Sequence, residues 1–189
     1  KYGFRSHNAG TCGLHIHVSR SFFGNNYEEQ QLNIAKLILL VNRFWSKYIV
    51  PFSRRDKYEL ERWANNIELL NSREKENINK DLVNSINAHK MVIDKLSSLE
   101  TGNHDDRYCA VNIQNKNTVE FRIFRGTLRY RTFMASLEFV SEMIHYAKTT
   151  PLNKIQNTEW LDIFGNTEYT ELRAYLEEHE VYKKIILSC

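Results

Sequence analysis

The stretch CGLHIHVS, residues 12–19, has the strict alternation of polar and apolar side chains that is typical of a β-strand with one buried face. Three polar residues alternate with three apolar ones, namely His15, His17 and Ser19 with Leu14, Ile16 and Val18. Because successive side chains of a strand point to opposite faces, both imidazoles and the hydroxyl share one face. One such strand alone most often faces solvent, so the histidines need a second observation before they indicate a site.

A second stretch, TVEFRIF at residues 118–124, repeats the same alternation about a hundred residues later. Its polar face carries three side chains and its apolar face three others: Thr118, Glu120 and Arg122 against Val119, Phe121 and Ile123. The β-rich run at 107–114 lies a few polar residues before the run at 117–125, which predicts a β-hairpin. The polar faces must meet water, a ligand or each other, because a buried unpaired charge costs several kcal/mol.

The rest of the chain is predicted to be mainly helical, since it contains few helix breakers: the whole sequence has two prolines and seven glycines. The predicted helices are 27–50 with Pro51 as its stop, 54–66, the second half of 72–99, 130–150 and 167–182. Together with the strands, they predict an α+β fold in which helices pack on an antiparallel sheet. A length of 189 residues suits a single domain over 1–189.

Composition narrows the class of protein. The apolar fraction of 42% is that of a globular domain, and no apolar run approaches the roughly 20 residues that span a bilayer. A net charge of +3 is too small to indicate nucleic-acid binding, and basic residues are not interleaved with aromatic ones. Cys12, Cys109 and Cys189 are scattered and odd in number, which favours reduced thiols and a cytoplasmic location.

The two polar faces carry the chemistry of a nucleotide–metal site. Glutamate and neutral histidine can bind a divalent cation, and arginine and hydroxyl donors suit phosphate oxygens. Further guanidinium groups stand at the ends of the predicted hairpin: Arg107, Arg125 and Arg129. His145, by contrast, lies in a predicted helix and is interpreted as a structural or surface histidine.

GTCGLHIHVSRSFFG, residues 10–24, and RYCAVNIQNKNTVEFRIFRGTL, residues 107–128, together resemble the amidoligase family of glutamine-synthetase-like carboxylate–amine ligases, which is related to glutamate–cysteine ligase. The resemblance implies a glutamine-synthetase-like catalytic domain. It also implies ATP-dependent joining of a carboxylate to an amine through an acyl phosphate, with Mg²⁺ or Mn²⁺ as the metal. The substrates would be small molecules or peptides.

The resemblance also assigns roles to individual residues. It implies that His15 and Glu120 bind metal, that His17 and Ser19 contact ATP, and that Arg122 contacts phosphate. Glu120 and Arg122 are therefore the candidate catalytic residues. Arg107 is similar to a further phosphate-side arginine, and Arg125 and Asn112 are candidate pocket residues.

In one respect the sequence departs from the family. The family begins with a Glu-x-Glu strand that supplies most metal carboxylates, and no Glu-x-Glu precedes residue 12. The resemblance therefore leads us to expect the C-terminal portion of a longer catalytic domain that lacks its N-terminal strands. Such a portion would either be inactive alone or be completed by another chain, which could be a second copy in a homo-oligomer.

Two other functions remain open from the sequence. A zinc hydrolase also uses two histidines and a distant carboxylate, but this reading leaves the arginines unexplained and offers no third histidine at a recognisable spacing. A non-catalytic binding or assembly module on a ligase fold would account for the missing carboxylates.

Overall fold

Three antiparallel strands form the sheet on which the candidate residues lie. The computed structural model describes residues 13–80, 85–101 and 108–179. The strands are β1 (Gly13–Ser19), β2 (Val111–Asn112) and β3 (Thr118–Arg125), and their order in the sheet is β1-β3-β2. The predicted hairpin is thus confirmed as the pair β2–β3, and the motif-bearing strand β1 pairs with the other edge of β3.

The first strand of the hairpin is much shorter than the predicted run at 107–114. Within the described part of that run, the backbone of residues 108–110 pairs with Asn65 instead: Asn65 N–H donates to Tyr108 O, and Ala110 N–H donates to Asn65 O, at 2.7 and 2.8 Å. This connection from outside the sheet takes the Tyr108 carbonyl and the Ala110 N–H, which would otherwise extend β2, and leaves Ala110 O to accept a hydrogen bond of 3.0 Å from Arg122 N–H of β3.

The pairing of β1 with β3 contains one extra residue on β3. Ile16 pairs with Phe121, but Leu14 pairs with Phe124, so two steps along β1 correspond to three along β3. A bulge of this kind reverses the face on which all later residues of the strand lie. Beyond the bulge, Phe124 therefore joins the apolar face opposite Leu14, and Arg125 joins the polar face opposite Gly13.

Helices make up most of the described chain and confirm the predicted α+β class. They are α1 (Tyr27–Phe44), α2 (Val50–Ser53), α3 (Lys57–Trp63), α4 (Ser72–Lys80), α5 (Ser85–Glu100), α6 (Tyr130–Thr149), α7 (Leu152–Ile155), α8 (Trp160–Phe164) and α9 (Thr170–Glu178). None of the described helices is both long and apolar enough to cross a membrane. The predicted helix 167–182 begins later than expected, and residues 180–182 lie outside the described residues.

Two predicted helix boundaries are wrong for identifiable reasons. Pro51 does not stop the helix, because it occupies the first turn of α2, where no backbone N–H is needed. A π-helical turn, Trp45–Ile49, joins α1 to α2. The charged segment Ser72–Lys80 is also helical: Asn71 and Glu74 cap the start of α4 reciprocally, with hydrogen bonds of 3.0 and 2.9 Å.

An aromatic cluster fixes α2 and α6 against the end of the sheet. Phe52 of α2 stacks on Phe139 of α6 with ring centroids 4.3 Å apart, and Phe124 of β3 meets both rings edge-on at 6.1 Å. All three rings are at most 2% exposed. The turn that follows Phe52, residues 54–55, is therefore held next to the end of β3.

Helix α1 is buried on nearly all sides, and this burial extends to its lysine. Lys36 is 5% exposed, and its Nζ donates a hydrogen bond of 2.9 Å to Thr150 O. Burial lowers the pKa of Lys36 to about 8, against a smaller opposing effect of the Glu29 charge. The fold thus destabilises the charged form of Lys36, so the lysine releases its proton at a lower pH than in the unfolded chain.

Replacing Lys36 should change how stability depends on pH. Between about pH 8 and its usual pKa of 10.5, the unfolded chain holds a proton on Lys36 that the folded protein has released, so this lysine makes stability rise with pH. Across that window, the unfolding free energy of the wild type minus that of Lys36→Met should increase by up to about 3 kcal/mol. Denaturant unfolding at pH 7, 8.5 and 10 measures this difference.

Lys57→Met is the control for loss of one positive charge, since Lys57 is 86% exposed. The unfolding free energy of the wild type minus that of Lys57→Met should change little between pH 7 and 10. A constant difference for Lys36→Met would show that burial does not depress its pKa.

Candidate functional site

The register of the sheet brings the predicted polar residues onto one surface. His17 lies opposite Glu120, and Ser19 lies opposite Thr118. On the other side of the central strand, Asn112 is also paired with Glu120. The side chain of Glu120 therefore stands between polar residues of both neighbouring strands.

Glu120 is a buried carboxylate with several partners. It is 7% exposed. One oxygen, Oε1, lies 2.7 Å from His15 Nδ1 and 2.8 Å from Arg122 Nη1, and Asn112 Nδ2 donates to Oε2 at 2.9 Å. His17 Nε2 is farther away, 3.6 Å from Oε1. A buried carboxylate needs such donors, because an unpaired charge in the interior is strongly unfavourable.

These partners keep Glu120 ionised. Burial by itself would raise the pKa of this carboxyl, but the hydrogen bond from Asn112 and the charges of Arg122, His15 and His17 together hold the pKa below its usual value. At neutral pH the group is a carboxylate that accepts hydrogen bonds and donates none.

The pKa of His15 is also lowered, and for a histidine this favours the neutral form. Burial is the largest cause, and the charges of Arg122 and Arg55 add to it, whereas Glu120 opposes it. The neutral ring donates from Nδ1 to the carboxylate, and this tautomer leaves a lone pair on Nε2. His15 therefore offers Nε2 as an acceptor or ligand.

Arg122 is held by two contacts and retains a buried, unused donor. Its side chain is 17% exposed, and its Nη1 is bound to Glu120. The guanidinium carbon lies 5.6 Å from the ring centroid of Tyr108, which gives a cation–π contact. Its Nε is buried and has no hydrogen-bond partner among the described residues.

His17 and Ser19 lie on the open part of the surface. The side chain of His17 is 50% exposed, and its Nδ1 is 3.4 Å from Thr118 Oγ1. Ser19 Oγ is hydrogen-bonded to Ser21 Oγ at 2.8 Å. Both residues can reach a ligand above the sheet, whereas Glu120 can be reached only between its partners.

Arg125 joins this surface only because of the bulge. Strict alternation would put it on the apolar face with Phe121 and Ile123. Arg54 Nη2 donates a hydrogen bond of 2.5 Å to the backbone oxygen of Arg125. This bond ties the turn after α2 to the end of β3. Arg107 lies outside the described residues.

Two residues near the site were not predicted, Tyr108 and Arg55. Tyr108 follows the predicted Arg107 directly, so its position in the same predicted β-rich run, 107–114, was the available signal. Arg55 comes from a turn more than sixty residues before β3, and no local pattern in PFSRRD, residues 51–56, indicates its role.

The predicted metal ligands do not form a metal centre by themselves. Within the described ranges, no group of three His, Cys, Asp or Glu side chains is placed to hold an ion. His15 and Glu120 are together, but both oxygens of Glu120 already accept hydrogen bonds, and a guanidinium occupies the side where a cation would bind. A zinc hydrolase would need a further ligand that this part of the chain does not supply.

A cavity of about 500 Å³ lies next to the end of β3. Its lining includes Arg54, Thr127, Arg129, Arg131, Tyr175 and His179. This volume is in the range of small-molecule sites. A cavity of about 20 Å³ between α1 and the residues around β2 is near the size of a single water molecule and too small for a substrate.

The family of the protein follows from its sequence. A sequence model of the family described as "Putative amidoligase enzyme" matches residues 2–144, which is well over half of the 189-residue chain. The chain therefore belongs to the amidoligase family, and the resemblance carried by the two strand motifs is confirmed. A search of curated proteins and a search of solved structures give no significant match.

Removing the carboxylate should lower the pKa of His15 further. In Glu120→Gln, the group that opposes burial and the Arg122 charge is lost, so the ring should become harder to protonate. We expect the His15 resonances to titrate at lower pH than in the wild type, as measured by NMR.

His89 on α5 is an internal control, since the pKa of its ring is lowered by burial and by Lys36, and Glu120 is not among the causes. It should titrate at the same pH in both proteins. An unchanged or raised pKa of His15 in the variant would contradict the charge balance described above.

Proposed function

We propose that the protein joins a carboxylate to an amine with ATP as the energy source. In the first step, a carboxylate oxygen attacks the γ-phosphorus of ATP, and the bond to ADP breaks. In the second step, the amine attacks the acyl phosphate, phosphate leaves, and the amine loses a proton. Family membership supports amide-bond formation, and the donor set on the sheet surface supports a reaction of phosphorylated substrates.

The observation that carries this proposal is the environment of Glu120. A glutamine-synthetase-like active site needs guanidinium groups beside phosphate oxygens, and Arg122 is fixed on this surface with a buried, unused Nε–H. Arg125 lies on the same surface. These two arginines, with Arg107, would bind the phosphoryl group and stabilise the charge that spreads over its oxygens.

The exposed residues of β1 have a different part in the proposal. His17 and Ser19 would contact ATP, and the cavity beside β3 would accommodate part of the nucleotide or of the small-molecule or peptide substrates. The neutral Nε2 of His15 would accept a proton or a hydrogen bond from a bound substrate.

Mg²⁺ or Mn²⁺ would enter as the ATP complex, where it neutralises phosphate charge. Because the described residues do not form a metal centre, the proposal assigns no step to a metal held by them. His15 and Glu120 remain the predicted contacts for such a cation. Further carboxylates would have to come from outside the described residues, either in an extended chain or in a complementing copy.

The same observation favours a second candidate, a module that binds nucleotide without turnover. The oxygens of Glu120 are committed to protein donors, so the carboxylate is well suited to positioning Arg122 and poorly placed to act on a substrate. Such a module would keep the arginines and the exposed side chains of β1 and would not release ADP.

Turnover with hydroxylamine distinguishes these candidates. Hydroxylamine attacks acyl phosphates to give hydroxamates, so the wild type should form hydroxamate and ADP in equal amounts from ATP, Mg²⁺ and a suitable carboxylate. A panel of amino acids and short peptides would serve as carboxylates. Glu120→Gln and His15→Ala should each lower kcat/KM about 100-fold or more.

His145→Ala is the matched control, since it removes an exposed histidine on α6. It should retain wild-type turnover. ATP·Mg²⁺ should raise the melting temperature of an active protein, because a ligand that binds only the folded state stabilises it. A melting shift without ADP release would support the binding module, and full turnover by Glu120→Gln would remove that residue from the mechanism.

A further inference from the structure

Arg55 lies at the edge of the same polar surface, on a turn with an unusual backbone. Helix α2 ends at Arg54, which has a left-handed conformation with φ 61°, and Asp56 caps the start of α3. This conformation is unfavourable for a residue other than glycine, so the surrounding contacts must maintain it. The bond from Arg54 to the backbone of Arg125 is one such contact.

The position of Arg55 depends on a glycine in β1. The Nη2 of Arg55 occupies the space where a Cβ on Gly13 would stand. The guanidinium thus lies directly over the backbone of β1, where any larger residue would displace it. Gly13 pairs with Arg125, so Arg55 lies at the end of the sheet where Arg125 rejoins the polar face.

Arginines come together there, and the nearby carboxylates of Glu59 and Glu120 offset only part of their positive charge. Burial lowers the pKa of Arg55, and the charges of Arg122 and Arg125 lower it further, although Glu59 opposes them. The Arg55 guanidinium forms no hydrogen bond or ion pair with any residue in the described ranges. Arg122 shares Glu120 with His15 and also keeps an unused Nε–H.

Half-buried guanidinium groups that lack acceptors are unfavourable unless an anion completes the arrangement. Five N–H donors on each arginine suit the paired oxygens of a phosphate or a carboxylate. The neutral ring of His15 does not compete for such an anion.

We propose that Arg55 is an anion-binding residue which, together with Arg122, receives an oxyanion over Gly13. The oxyanion is a phosphoryl group or a substrate carboxylate, since both present a pair of negatively charged oxygens to a guanidinium group. This inference rests on the proposed function in that it adds a substrate-binding residue to that site, but the anion site itself requires neither ATP nor turnover.

Anion binding can be measured without nucleotide or metal. Isothermal titration of the whole protein with pyrophosphate, and separately with glutarate, should give saturable binding of at least one of them. Arg55→Gln should weaken that binding by at least about tenfold, because a charge-assisted hydrogen bond is lost. Arg55→Lys should retain part of the affinity, since it keeps the charge but not the paired donors.

Gly13→Ala tests the geometry independently of the charge. The closest atom to the added methyl group is the far end of the flexible Arg55 side chain, and the next is His15 Nε2 at 3.2 Å, so the protein should fold, the guanidinium should move away and the imidazole should shift by a few tenths of an ångström. It should therefore weaken anion binding to a similar extent as Arg55→Gln. Arg62→Gln, which removes an exposed arginine stacked on Trp63, is the control for net charge and should leave binding within about twofold.

Selective binding of pyrophosphate would identify the phosphoryl group as the source, and selective binding of glutarate the carboxylate substrate; either supports the proposal. Absence of binding of both anions to the wild type would overturn it, as would equal losses in Arg55→Gln and Arg62→Gln. Arg55-dependent binding in a protein that forms no hydroxamate would retain this inference and reject the catalytic one.

Discussion

The pairing of β1 with β3, including its one extra residue, determines which side chains can act together. Before the bulge, ordinary alternation places Glu120 and Arg122 on the face that also carries the histidines of β1. The extra residue then returns Arg125 to that face and leaves Phe124 in the core, where it contacts Phe52 and Phe139. A single insertion in the register thus serves both the packing of the sheet and the charge of its polar surface.

Glu120 connects the stability of the fold to the chemistry of this surface. Its partners come from all three strands: His15 from β1, Asn112 from β2 and Arg122 from β3 itself. The ionised carboxylate compensates part of the arginine charge, and its negative charge opposes a further drop in the pKa of His15. The three strands are therefore linked by the same interactions that set the protonation states of the candidate site.

Sequence periodicity predicted the local parts of this arrangement well. The α+β class, the two polar faces, the hairpin and the long helices 27–50 and 130–150 all follow from spacing within a few residues. Asn112, given by family resemblance as a pocket residue, proves to be a hydrogen-bond donor to the carboxylate. Periodicity did not predict the element boundaries that other contacts set. Asn65 shortens β2, and a reciprocal cap begins a helix in the charged segment α4.

Arg55 and Arg125 show the limit most clearly. A period of two assigns Arg125 to the apolar face, since nothing in the residues 118–125 marks the bulge. Arg55 reaches the surface because aromatic packing fixes α2 beside β3 and because Gly13 leaves room for its guanidinium. The position of Arg55 thus depends on its contact with Gly13, about forty positions away, and on the contact of Phe52 with Phe124, about seventy positions apart.

The charge balance of the surface has a consequence for function. The charges of Arg122 and Arg125 lower the pKa of Arg55, the charge of Glu59 raises it, and the carboxylate of Glu120 is shared by Arg122 and His15. A folded protein that keeps such groups close together is less stable than one in which they are separated, unless a bound anion balances them. Under the proposed anion site, a substrate that brings negative charge to this end of the sheet would be bound more tightly than its contacts with neutral groups alone would give. ATP and a carboxylate, two of the three reactants of the proposed ligation, both meet this condition, whereas the amine does not.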